Sequence, residues 1–182
     1  MDKEIEIHKG RLKILFVHER TQSALQELIV ECFQCNRNAD RWVSVLGVDM
    51  VCPQASKLIH HQIAHYFPAV ADIIGEKTLE RYNISVLYGD TKAPKELNYS
   101  LLDLMQSFVD MCIDFQSMLM GTIKIAFEEN DIHIYADLIS ILENYNNIVE
   151  QVILLRDKAE KYGSDIMGFD HDISDFWILG EE

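Results

Sequence analysis

The sequence is poor in the features that mark most alternatives to a helical domain. It holds only three prolines and eight glycines in 182 residues, and no proline lies between Ser100 and Tyr162. No apolar run approaches the roughly 20 residues that a helix needs to span a bilayer, so no membrane partner is expected. The opening residues, Met1-Asp2-Lys3-Glu4-Ile5-Glu6, are too acidic for a secretory leader. Basic side chains are outnumbered, with 16 Lys and Arg against 30 Asp and Glu and a formal net charge of −14. That imbalance argues against direct contact with nucleic acid or an anionic membrane surface. It suits a shell that attracts cations. Glycine-rich phosphate loops, nucleophile elbows, internal repeats and low-complexity segments are all absent. The four cysteines, at 32, 35, 52 and 112, form no regular framework, which predicts free thiols in a reducing, cytoplasmic setting.

What the chain does have is helical periodicity. From Ser100 onward, Leu101, Leu104, Met105, Phe108, Met111, Cys112, Phe115, Met118 and Leu119 recur at steps of three and four. Such spacing lines one face of a 3.6-residue helix. Ser100 with Asp103 resembles a capping box and predicts the helix start. A second stripe follows at Ile134, Leu138, Ile141, Leu142, Tyr145, Ile148, Val149, Val152 and Leu155. Glu128-Glu129-Asn130-Asp131 between them reads as a tight turn. At about 1.5 Å per residue each limb would run roughly 40 Å. Two stripes cannot bury each other alone and need at least two more helices. The methionines on these limbs read as core filler.

Those helices are sought upstream. Residues 11–19 are ambiguous between a strand and a first helical turn, but Leu25, Leu28, Ile29, Cys32 and Phe33 predict a first helix over about Arg11–Arg37. The polar run Asn36–Asp40 could break it or form its solvent face. A second helix is predicted from Pro53 to about Tyr82, kinked or split at Pro68. The polar stretch 83–96 then serves as a long crossover. The expectation is an all-α, ferritin-like four-helix bundle, with the long connection between helices two and three. It occupies residues 1–163, followed by an acidic, aromatic C-terminal tail or short helix over 164–182.

The second helix carries the best candidate chemistry. At about 100° per residue, His61, His65, Asp72 and Glu76 fall within roughly 60° of one another. Ile59, Ile63, Tyr66, Val70, Ile73 and Ile74 take the other side. Imidazole and carboxylate donors together suit iron, zinc or manganese. One straight helix cannot wrap an ion with residues four turns apart, so each pair needs ligands from elsewhere. The plain alternative is an ordinary solvated helix face. Inside a bundle, di-iron sites use Glu-x-x-His motifs. Here Gln62-Ile63-Ala64-His65 lacks the carboxylate, and the last two helices offer Asp110, Asp114, Asp137, Glu143 and Glu150 but no Glu-x-x-His. Cys32-Phe33-Gln34-Cys35 stands alone and reads as buried small side chains. His8, His18, His133 and His171 read as isolated and solvated.

Glu128-Glu129-Asn130, Ala136-Asp137-Leu138, Glu143 and Val152 resemble the last two helices of Dps proteins, the mini-ferritins. That resemblance implies an iron-oxidising site shared between two subunits, with iron as the metal and a homo-oligomeric shell as the assembly. It also implies an Asp-x-x-x-Glu pair on the second helix, which Asp72-Ile73-Ile74-Gly75-Glu76 matches. The family places one His before a Trp at the end of the first helix and another four turns before the Asp. Here those positions hold Arg41, before Trp42, and Lys57, with His61 one turn after Lys57. The rival expectation is a non-catalytic bundle of the same fold with a degenerate site, acting as a structural or interaction protein.

Overall fold

The computed structural model describes residues 16–94 and 100–180. Among them every regular element is helical. The elements are α1 (Glu19–Ser44), α2 (Pro53–Ile59), α3 (Tyr66–Asp72), α4 (Leu101–Glu128), α5 (Ile132–Tyr162) and α6 (Ile166–His171). Wide turns with i→i−5 bonding follow α1, α2 and α3 at Val45–Asp49, His60–Ala64 and Ile73–Leu79. α2, α3 and their wide turns form one second rod that runs down to Tyr82.

The α4–α5 hairpin follows its stripes closely. Ser100 accepts from the Asp103 backbone N–H at 3.1 Å and Asp103 Oδ2 accepts in return, so the capping box is formed. Leu104, Met105, Phe108, Cys112, Phe115 and Leu119 are buried, as are Ile134, Leu138, Tyr145 and Val152. The chain reverses at Asn130, in the left-handed region with φ 61°. Asp131 heads α5 but its buried carboxylate faces away from that helix. It accepts from the His18 backbone N–H at 3.1 Å and pairs with His18 Nδ1 at 3.0 Å. His18 therefore ties the start of α1 to the hairpin turn, rather than standing isolated.

α1 differs from its expected span. Residues 11–15 lie outside the described residues, 16–18 are not helical, and the helix continues to Ser44. The polar run Asn36–Asp40 does not break it, because these side chains find partners on the helix itself or on the neighbouring rod. Asn38 accepts from Gln34 at 3.1 Å, and Asn36 Nδ2 donates to the Ala64 carbonyl at 3.2 Å. That second bond has a specific cause. Pro68 lacks the N–H that would bond Ala64 in a regular helix. Asn36 supplies the donor from the neighbouring rod, and the second rod breaks at His65.

The crossover after Asn83 runs back along α1. Gln26 donates to Ser85 O at 3.0 Å and accepts from Leu87 N–H at 2.8 Å. Two turns on, Gln34 donates to Lys92 O at 3.2 Å and accepts from Lys92 N–H at 2.6 Å. Each amide acts as a strand-like partner for backbone that would otherwise be unpaired. The order is therefore up, down, a long return, then down and up, which is the one-crossover bundle.

The tail folds back on its own chain. Phe169, Ile173 and Phe176 are buried. Asp170 Oδ1 accepts from Ala55 N–H at 2.8 Å, capping the start of the second rod, whose own Cys52 provides no side-chain cap. Buried Gln151 on α5 donates to Phe176 O at 3.3 Å and accepts from Ile178 N–H at 2.6 Å. Trp177 Nε1 donates to Gln62 at 2.9 Å. No helix among the described residues is long and apolar enough to cross a membrane.

Candidate metal centre

All four predicted ligands are exposed on the second rod, but they do not share one groove. His61 and His65 line a groove of about 1300 Å³ between the second rod, α5 and the tail, with Lys57, Asn147 and Glu150 nearby. Asp72 and Glu76 line a smaller one of about 80 Å³, with Glu80, Phe33 and the crossover residues Val86 and Tyr88. The two usable pairs, His61 with His65 and Asp72 with Glu76, thus line separate grooves. The wide turns at His60–Ala64 and Ile73–Leu79 fall within the pairs, and α3 between them keeps α-pitch. Gly75 suits the second groove, since a Cβ there would sit 3.2 Å from Val86 of the crossover.

The wide turn also brings in a residue the periodicity did not single out. His65 N–H bonds the His60 carbonyl at 3.1 Å, five residues back. The rings of His60 and His65 then lie 4.3 Å apart, closer than the 5.9 Å between His61 and His65. His60 Nε2 lies 3.5 Å from Asp40 Oδ1 on α1. Three imidazoles therefore gather around one turn. Only a clue to the π-type turn would have exposed His60, and the sequence carries none except the downstream Pro68. Among the described residues, no three His, Cys, Asp or Glu side chains converge as a metal ligand set. Each groove offers a partial set.

The interior of the bundle is occupied by other chemistry. Phe67, Phe115 and Tyr145 meet there, with ring separations of 5.0 to 6.2 Å. Tyr145 donates to the Cys112 carbonyl at 2.9 Å. Cys32 and Cys35 on α1 are fully buried beside them. Burial pushes the Cys32 and Cys35 thiols well above the ordinary range, aided by the half-buried Glu31, whose carboxylate accepts from Cys35 at 3.6 Å. The buried side chains include no Glu and no His among the described residues. These residues do not fit an intrabundle di-iron centre, which needs inward-pointing Glu and His from all four helices. Trp42 packs edge-on to Phe108 at 5.0 Å and is core, not a surface ligand's neighbour.

No protein-family model matches the sequence, and no curated protein sequence matches it. In three dimensions it is similar to an open-pore ferritin from the hyperthermophilic archaeon Archaeoglobus fulgidus, with a TM-score of 0.77 and 12% identity, covering 91% of this chain and 100% of that one. It is also similar to a humanized archaeal ferritin, with a TM-score of 0.73 and 13% identity, covering 92% of this chain and 99% of the other. The rod order, the long return along α1 and these likenesses together establish an all-α, ferritin-like four-helix bundle.

Proposed function

We propose that this chain is a ferritin-like binder of iron or a similar divalent cation, with the metal held on the outside of the second rod and the site completed by a second copy. The observation that carries this reading is the pair of exposed, chelating couples, His61 with His65 and Asp72 with Glu76, on a rod whose inner face is apolar. Neither carboxylate forms an ion pair among the described residues, so both remain available to a cation. Carboxylates supply charge neutralisation and imidazoles supply neutral nitrogen donors, a mixed set suited to iron, manganese or zinc. Glu80, one turn beyond Glu76 in the same groove, adds a third negative charge. In the Dps-type form of this reading the two subunits share the iron they oxidise, and a homo-oligomeric shell stores it.

A second reading is favoured by a different observation. Lys57 stands in the His61 groove at a position where the Dps resemblance calls for His, and the bundle interior is filled by Phe67, Phe115 and Tyr145. On that reading the bundle serves as a structural or interaction protein. Anaerobic Fe(II) titration followed by air separates the two. Wild type should take up at least one ion per chain, and Asp72→Ala/Glu76→Ala should lose most of that uptake. No uptake by wild type, or equal uptake by both proteins, rejects the metal reading and leaves the structural one.

A further inference from the structure

The wide turn at His60–Ala64 gathers three imidazoles that a regular helix would keep apart. At α-pitch, residues five apart lie about 140° from each other around the axis. The i→i−5 bond from His65 N–H to the His60 carbonyl, at 3.1 Å, brings this pair onto one side. The ring centres of His60, His61 and His65 form a triangle with sides of 4.3, 5.4 and 5.9 Å. An imidazole nitrogen about 2.1 Å from zinc sets its ring centre roughly 3.2 Å from the ion, so two rings at angles of about 90–130° stand roughly 4.5–5.8 Å apart. The triangle matches that range closely. The ring nitrogens do not point at a common centre, but His61 and His65 are exposed and His60 is half-buried. Rotation of such side chains is fast and suffices to turn them inward. His60 Nε2 also lies 3.5 Å from Asp40 Oδ1 on α1. A carboxylate at one ring nitrogen leaves the other, Nδ1, as the donor and fixes its direction.

We propose that His60, His61 and His65 form a three-imidazole site for a zinc-class ion, a late divalent cation such as Zn(II) or Co(II), with Asp40 orienting His60 from outside. This deepens the metal reading of the second rod and rests on it for His61 and His65 as donors. It differs in the donor set. Three neutral nitrogens with no inner carboxylate suit zinc better than the harder manganese or magnesium. One chain supplies all three, and the fourth position is left to water or to a donor from a second copy. Lys57 lines the same groove, as does Glu150 from its α5 wall, and the −14 charge of the chain favours an incoming cation.

Titration of the full chain with Co(II), whose visible bands report its coordination, tests the proposal. Wild type should bind one Co(II) per chain with the intense bands of a four- or five-coordinate ion, and Zn(II) should displace it. His60→Ala, His61→Ala and His65→Ala should each weaken binding at least tenfold, with helicity by circular dichroism unchanged. His133→Ala, exposed on α5, should leave binding as it is. Asp40→Ala should move the Co(II) bands and weaken binding, and Asp40→Glu should recover part of both; unmoved bands would remove Asp40 from the site. Unchanged affinity in His60→Ala reduces the site to an ordinary i,i+4 pair and overturns the proposal, as does a wild type that binds no Co(II). Failed Fe(II) uptake with Co(II) binding intact rejects the iron reading alone.

Discussion

The bond from Asn36 to Ala64 offers a quantitative test of how the second rod is built. Pro68 removes the helical donor for the Ala64 carbonyl, and Ala64 is fully buried. Asn36 Nδ2, at 3.2 Å, supplies a replacement from α1. Asn36→Ala in the native background should therefore leave a buried carbonyl without that donor and destabilise the fold by about 1–3 kcal/mol. For a domain of this size that lowers the midpoint by roughly 2–4 °C per kcal/mol. In a Pro68→Ala background the restored N–H can reach Ala64, so the same Asn36→Ala change should cost about 1 kcal/mol less. Guanidinium unfolding of the four proteins in a double-mutant cycle measures the difference. The reasoning fails if Asn36→Ala costs the same in both backgrounds. A second readout follows from the geometry. If Pro68 maintains the wide turn at His60–Ala64, Pro68→Ala should let it tighten and separate the His60 and His65 rings from 4.3 Å. Binding of Ni(II) as a probe of paired imidazoles should change with it.

Three further outcomes are expected. Asp170→Ala removes the cap on Ala55 N–H and should destabilise the fold by about 1–2 kcal/mol, with earlier proteolysis of the tail. The tail contact should also depend on pH. A hydrogen bond to Asp172 holds His171 above its ordinary value, so its contribution is complete below about pH 6.5 and fades as pH rises through the folded value. Bonds from His171 and Tyr162 hold Asp172 below its ordinary value, so that contribution is present above about pH 3.8 and lost as pH falls through the folded value. Tyr162 on α5 bonds Asp172 at 2.6 Å, whereas His171 pairs only with its own neighbour, so Trp177 fluorescence should report loosening of the tail as pH falls through the Asp172 value. Alkylation at pH 8 should be slow at all four cysteines. Burial and the charge of Asp170 push Cys52 up to about 11, and burial lifts Cys112 to about 12, with Cys32 and Cys35 higher still. Cys52 should react first, and rapid labelling of Cys32 and Cys35 in the folded protein would contradict their place in the core.

The hairpin was legible because its apolar residues keep one period through two uninterrupted helices and Ser100 announces the start. The second rod was legible in extent but not in phase. Its wide turns leave no mark in the local pattern, and the Ala64 carbonyl that Pro68 frees is answered from another helix, a long-range contact. His60 escaped notice for the same reason. At α-pitch it lies well away from His65, whereas an i→i−5 turn brings the two rings together. The end of α1 was obscured by Asn36–Asp40, whose polarity suggests a break until the partners of Asn36 and Asn38 are seen. Phe169 and Phe176 marked the tail as more than a loose end, but the Gln151, Asp170 and Gln62 contacts that fasten it are again long-range.

The central claim is that metal belongs on the outside of the second rod and not within the bundle. Anomalous diffraction from crystals soaked in Mn(II), a redox-stable stand-in for Fe(II), addresses it directly. The account predicts density beside His61 and His65 or beside Asp72 and Glu76, with a donor from a neighbouring copy. An ion among Phe67, Phe115 and Tyr145, or none at either surface pair, would contradict it.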